Sequence, residues 1–200
     1  FSPAWQREVV RALRNEAPEF FKGTSNVLLA KDLGLVPIGT VLAAPRAVTQ
    51  LPDGWRFLKG DPEGAEMPAM DDAGWQAVSV PHDWAIAGPF DPDAKAAGEN
   101  GFLPSGVAWY RKALEVAPQP GRRYFIEFDG IMERSGVWVN GHHIGYRPMG
   151  YVSQRYDLTR HLRADGHNMI AVRADTSAAP SSRWYTGSGI YRHVRLIETG

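Results

Sequence analysis

The chain has 200 residues, 44% of them hydrophobic, enough for one well-formed core with an appendage. Its 22 basic and 22 acidic residues cancel, leaving neither a global field nor a basic cluster to attract nucleic acid. Cysteine is absent, which excludes disulfides and thiolate metal sites, while 15 Pro and 21 Gly favour turns over long helices.

Residues 1–50 read as an N-terminal extension, partly helical or disordered, distinct from residues 51–200. The chain begins with Phe, as a fragment or a processed product would. "SPAWQREVVRALRNEAPEFF" predicts a short amphipathic helix. Ser2 stands at the N-cap, Pro3 at the first helical position, Trp5, Val9, Ala12 and Leu13 on one face, and Pro18 near the end. "NVLLAKDLGLVPIGTVLAAPRA" is apolar but broken by Lys31, Asp32 and Pro37, too interrupted to span a bilayer, so no membrane partner is expected. A degraded secretory leader ending near Ala43 and Ala44 competes with a plain variable extension, and the acids upstream favour the extension. The compartment stays open, with periplasm or secretion slightly favoured over cytoplasm.

From Trp55 the hydrophobic period becomes two. "WRFLKG", "WQAVSVP" and "VAWYRKALEV" read as successive strands. In "RYFIEFDG", Tyr124, Ile126 and Phe128 face one side while Glu127 and Asp129 face the other. "GVWVNGHHIGYR" is a hairpin, because Asn140-Gly141 takes the positive φ angles of a type I′ turn. "VSQRYDL", "HNMIAVRAD" and "YRHVRLIE" follow, and "DLTRHLRADG" between the first two of these reads as a helical turn from Asp157 to Gly166. About eight short strands with long aromatic loops predict an all-β, antiparallel sandwich.

Most chemical signatures are missing. Gly187 and Gly189 lack the third glycine and the following helix of a dinucleotide fingerprint, and no P-loop, H-E-x-x-H or G-x-S-x-G occurs. His142 and His143 are strand neighbours and point to opposite faces, so they cannot share a metal. Glu127 and Asp129 imitate a carboxylate dyad but read as solvated residues of an outer sheet face. No cofactor is expected. The informative stretches are the loops "VPHDWAIAGPF", "GENGFLPSGVAWYRK" and "SSRWYTGSGIYRHV", which mix flat aromatics with amide and guanidinium groups. Pyranose C–H faces lie against Trp and Tyr rings while Asn, Asp and Arg bracket hydroxyls. The competing reading is that these aromatics only plug the end of the core.

Taken together, "VPHDW", "GVAWYRK", "FDGIMERSGVWVNGHHIG" and "SSRWYTGSGIYRHVRL" resemble the N-terminal sugar-binding domain of family 2 glycoside hydrolases, over about residues 52–198. The blocks are nearer the β-galactosidase branch than the glucuronidase or mannosidase branches. Residues 1–50 match nothing in that pattern. The resemblance implies a jelly-roll β-sandwich of the galactose-binding-domain type. An immunoglobulin-like domain and a (β/α)₈ barrel would follow, the barrel carrying the two catalytic glutamates of a retaining mechanism. Gly200 would then close the first domain, and no catalytic residue would lie in this chain.

Several relatives place a sugar-binding aspartate six residues before the second glycine of the last loop, and here that position is Arg183. The role is transposed rather than copied: Arg183 would donate to sugar oxygens. A second contact, an Asn four residues before a Pro, is matched by Asn100 and Pro104. Trp184 and Tyr185 either stack on the sugar or buttress the loop. Trp109 and Trp138, on strands, are expected in the core. The implied partners are a β-galactoside or related oligosaccharide and the downstream domains of the parent enzyme. The alternatives are a free-standing carbohydrate-binding module and a purely structural sandwich.

Overall fold

The computed structural model describes residues 8, 9, 11, 12, 47–178, 182 and 184–200. The chain divides into two units, Phe1–Pro45 and Arg46–Gly200. Of the first, Glu8, Val9, Arg11 and Ala12 are helical, and Arg11 Nη1 lies 3.1 Å from Glu8 Oε1. The rest of the helix expected between Ser2 and Pro18, and the leader reading at Ala43 and Ala44, lie outside the described residues. Among the described residues no helix is long and apolar enough to cross a membrane.

The second unit is an antiparallel sandwich. Its strands are β1 (Ala47–Gln50), β2 (Trp55–Lys59), β3 (Gln76–Val78), β4 (Val107–Glu115), β5 (Arg123–Phe128), β6 (Ser135–Val139), β7 (His142–Arg147), β8 (Gln154–Asp157), β9 (His167–Asp175) and β10 (Val194–Thr199). One sheet has four strands in the order β1-β10-β5-β8, the other six in the order β3-β2-β4-β9-β6-β7. The alternation read in β5 is realised, for Tyr124, Ile126 and Phe128 are buried. They meet Ala108, Tyr110 and Leu114 of β4, Val137 and Val139 of β6, and Ile170, Val172 and Ala174 of β9 in one core.

Two details differ from the expected strand set. The four-residue β1 gave no apolar signal, because all four of its side chains are exposed and it is held by backbone pairing to β10. "DLTRHLRADG" forms two successive turns, with the His161 and Leu162 N–H groups donating to Leu158 O at 2.8 and 3.2 Å and Gly166 N–H to Arg163 O at 3.0 Å. The Asn140-Gly141 turn has φ of 51° and 82°, as a type I′ hairpin requires. Asn140 does more than turn. Its Nδ2 donates to His161 O and Asn168 Oδ1 at 2.8 and 2.9 Å, and its Oδ1 accepts from Met169 N–H at 2.9 Å.

The far face of the six-stranded sheet is covered too. Trp109 and Trp138 pack there, 5.1 Å apart, with Ala65, Trp75 and Ala171 in a second, smaller cluster under residues 60–75. The covering segment is rich in Gly, Pro and acids and has no strand or helix of its own. It is ordered by Arg111 of β4, which is fully buried. Arg111 Nε donates to Asp72 Oδ2 at 2.8 Å, Nη1 to the carbonyls of Ala65 and Met67 at 2.6 and 2.8 Å, and Nη2 to those of Pro68 and Met70 at 3.5 and 3.3 Å. A buried guanidinium is tolerable only when its donors are satisfied in this way. Arg111→Met keeps the aliphatic stem but strands these acceptors, so urea unfolding should show a loss of about 3–5 kcal/mol. A loss below about 1 kcal/mol would mean that the Asp61 contacts to Trp109 and Arg173 suffice to hold residues 60–75.

Candidate functional site

Three loop segments meet at one place, and a fourth reaches the same loop through Trp184. Residues 82–85 run beside 188–190, with His82 N–H donating to Ile190 O at 2.7 Å and Trp84 N–H to Ser188 O at 3.2 Å. Met132 and Gly189 exchange both backbone hydrogen bonds, at 2.9 and 2.7 Å. The last segment is the short 3₁₀ turn Ala97–Asn100, closed by Gly101 at φ 62°. Gly189 is the closest point of approach, with φ of 96°. A Cβ there would stand 2.1 Å from Tyr110 Oη and 3.0 Å from Trp84 Cδ1, so only glycine fits.

Beneath this junction His82 and Tyr110 are held neutral. The His82 ring packs on Phe57 at 4.8 Å between centroids and shares a hydrogen bond with Tyr110 Oη at 2.9 Å. Burial lowers the His82 imidazole pKa and pushes the Tyr110 phenol up, so neither ionises near neutral pH. Lys59 Nζ sits 4.9 Å from the centroid of the Trp84 ring.

The expected site residues fall into different situations. Trp184 is 65% exposed. Its ring lies across Gly101, the residue after Asn100, where an added Cβ would come within 3.8 Å of Cζ2. Asn100 is half-buried, and its Nδ2 donates to Leu103 O at 3.2 Å. Tyr185 turns inward, its ring against the main core and its hydroxyl donating to Asp83 Oδ1, in the manner of a buttress. Burial and then the Asp83 hydrogen bond push the Tyr185 phenol up, which keeps that proton in place. Arg183 lies outside the described residues.

Asp83 was not singled out from the sequence, although it stands in the quoted "VPHDW". A lone aspartate in a loop carries no spacing signal, and its partner is 102 positions away. Exposed Phe90 and Phe102 extend the aromatic surface beyond Gly101. A hollow of about 380 Å³ opens between Met132, Glu133, Met149 and Tyr151 on one side and Ser182 and Thr186 on the other.

The other sequence candidates are accounted for elsewhere. His142 stacks on His161 and His143 on Trp138, each at 4.9 Å, on opposite faces of β7. Among the described residues no group of three or more His, Cys, Asp or Glu is arranged for a metal. Trp109 and Trp138 belong to the cluster under residues 60–75 and not to the core between the sheets. Glu127 and Asp129 lie on the outer face of the four-stranded sheet but are more than solvated. Arg195 Nη1 donates to Asp129 Oδ1 at 2.7 Å and to Glu127 Oε1 at 3.2 Å, Arg195 Nη2 also donates to Asp129, and Arg155 Nε binds Glu127 Oε2 at 2.7 Å. The hydrogen bond from Arg195 holds the Asp129 carboxyl below the usual range.

Comparison with known proteins gives these loops a context. Residues 50–200 match the family model described as glycosyl hydrolases family 2, sugar binding domain. The chain belongs to this family. A beta-galactosidase of Bacteroides ovatus is 44% identical over 80% of the chain and 19% of its own length. A putative beta-glucuronidase of Formosa agariphila is 37% identical over 78% of the chain and 15% of its own length. The crystal structure of a beta-glycosidase from Bacteroides vulgatus superposes with a TM-score of 0.72 at 41% identity, over 76% of this chain and 20% of that one. The chain thus spans a fifth or less of the length of these relatives. Residues 1–49 are similar to a different family, the nicotinate phosphoribosyltransferases, and the two matches meet between residues 49 and 50. The family 2 portion takes the antiparallel sandwich form of its solved relatives.

Two measurements check this geometry. In an NMR titration the Asp129 carboxyl should titrate below the ordinary aspartate value of about 3.9, and Arg195→Gln should return it toward that value. Because the folded pKa is depressed, the stability from this pair is present above pH ~4 and is lost as pH falls through the folded pKa. Gly189→Ala should lower the thermal midpoint by at least about 4 °C, since it adds a steric overlap to an unfavourable φ. An unchanged midpoint would mean that the junction of the loops can open without cost.

Proposed function

We propose that residues 50–200 form one wall of the sugar site of a retaining β-galactoside hydrolase, a jelly-roll domain whose catalytic glutamates lie in a barrel beyond this chain. The observation that supports it most is the placement of Trp184, exposed and lying across Gly101, on a loop whose next residue is anchored inward. An indole presented in this way offers a flat apolar face to a pyranose, and the amide of Asn100 suits a hydroxyl. Arg183, preceding Trp184 in the same loop, would add a charge-assisted donor. The 44% identity to a protein named as a beta-galactosidase favours a galactoside, or a related oligosaccharide, as the ligand. An immunoglobulin-like domain and the barrel would be the partners in the parent protein.

The 200-residue chain should not hydrolyse an aryl β-galactoside. Cleavage with retention needs two carboxyl groups about 5 Å apart around one bond, one of them with a raised pKa. Glu127 and Asp129 are instead neighbours along one strand, tied to arginines, and Asp129 is shifted the wrong way. In the full-length enzyme, Arg183→Ala should lower kcat/KM by about 1.5–3 kcal/mol with folding intact. Comparing aryl β-galactoside with aryl β-glucuronide identifies the sugar. Turnover by the 200-residue chain, or full activity of Arg183→Ala, would overturn the reading.

A further inference from the structure

The loop that carries Trp184 is tied to the sandwich unevenly. From Ser188 onward its backbone is bonded on both sides, to Trp84 and His82 and to Met132. Among the described residues 184–187 the rings of Trp184 and Tyr185 pack on the body, and the hydrogen bond that ties the loop to it is a side-chain one, from the Tyr185 hydroxyl to Asp83. Asp83 is well placed to hold it. Its neighbours His82 and Trp84 are both locked in backbone register with Ile190 and Ser188, so the Asp83 backbone has little freedom. Its Oδ1 accepts from the Ala85 N–H at 3.2 Å as well as from Tyr185. Its Oδ2 faces the loop a second time, for a Cβ on Gly187 would lie 3.6 Å from it. The carboxylate therefore meets the loop on both sides of Thr186.

We infer that Asp83 is the positioning residue of the sugar-facing loop: by accepting from Tyr185 it fixes the chain path over residues 184–187 and hence where the Trp184 indole stands. The inference rests on the sugar-site reading for its functional half and on geometry alone for its structural half. A hydrogen bond to a charged acceptor between two part-buried groups favours the docked loop by roughly a hundredfold, enough to turn a loop docked about ten to one into one undocked about ten to one. Sugar binds the docked loop, so undocking lowers apparent affinity by the docked fraction, while saturating sugar restores the docked state. Loss of Asp83 should therefore raise KM and leave kcat nearly unchanged. Loss of a group that acts only on the transition state would lower kcat.

The test compares Asp83→Ala, Tyr185→Phe and the double variant. Tyr185→Phe removes one oxygen and serves as the second route should Asp83→Ala disturb the turn at Ala85. In the 200-residue chain, amide hydrogen exchange at residues 184–187 should accelerate about tenfold in each single variant and no further in the double, because both remove the same bond. Exchange within β4 and β9 should not move. In the full-length enzyme, KM for an aryl β-galactoside should rise about tenfold in all three variants while kcat changes less than about twofold. Unaltered exchange at 184–187, or additive effects in the double variant, would overturn the positioning role whatever the kinetics. Accelerated exchange with an unmoved KM, together with a silent Trp184→Ala, would instead overturn the sugar-site reading.

Discussion

At Gly189 the backbone passes so close to Tyr110 and Trp84 that no side chain can be accommodated, and the loop end of the domain is organised by that approach. Tyr110 belongs to β4, the central partner of both β2 and β9. The main core thus reaches through one phenol to the loop at 185–190 and through His82 to the loop at 80–85. Met132 closes the junction from a third direction. A sandwich of two sheets offers many loops at its rims, but loops are mobile unless something rigid meets them. Here the meeting is by van der Waals contact and paired backbone bonds, which leave little room for adjustment.

The two outer faces of the sandwich show how a chain of zero net charge can still be strongly patterned by charge. The four-stranded sheet wears a ladder of ion pairs, with Arg195 shared between Glu127 and Asp129, Arg155 on Glu127, and Arg123 on Asp157 at 2.6 Å. The six-stranded sheet instead hides one arginine completely and covers its aromatic residues with residues 60–75. Both arrangements use charge locally, so neither builds a field over the surface.

Much of the architecture was legible because period-two alternation reports burial directly. β5 and the Asn140-Gly141 hairpin were readable in that way, and the aromatic loops stood out because they interrupt the alternation. Alternation does not say whether the second face is also covered. "VAWYRKALEV" therefore shows Trp109 as core without saying which core: Tyr110 lies between the sheets, while Trp109 and Arg111 are buried on the other side. β1 was missed since exposed backbone pairing leaves no hydrophobic trace. Asp83 was missed since a contact between residues 83 and 185 has no local pattern. The family 2 resemblance was carried by whole blocks, and blocks survive where single contacts are reassigned, as the arginine at position 183 illustrates. Residues 1–49 read as a capped amphipathic helix and an interrupted apolar stretch, features that many unrelated families share, so their likeness to another family was not visible in them.

The saturation of Arg111 has a consequence for how the two faces respond to solvent. The ladder on the four-stranded sheet is partly open to water, so dissolved ions compete with its pairs, and raising ionic strength weakens them within a screening length of about 8 Å or less. Arg111 offers no accessible surface to a counterion and leaves no donor unspent. The Arg111 anchor is thus insulated from salinity, while the solvent-open pairs on both faces, Arg173 with Asp61 beside Trp109 among them, are tuned by it.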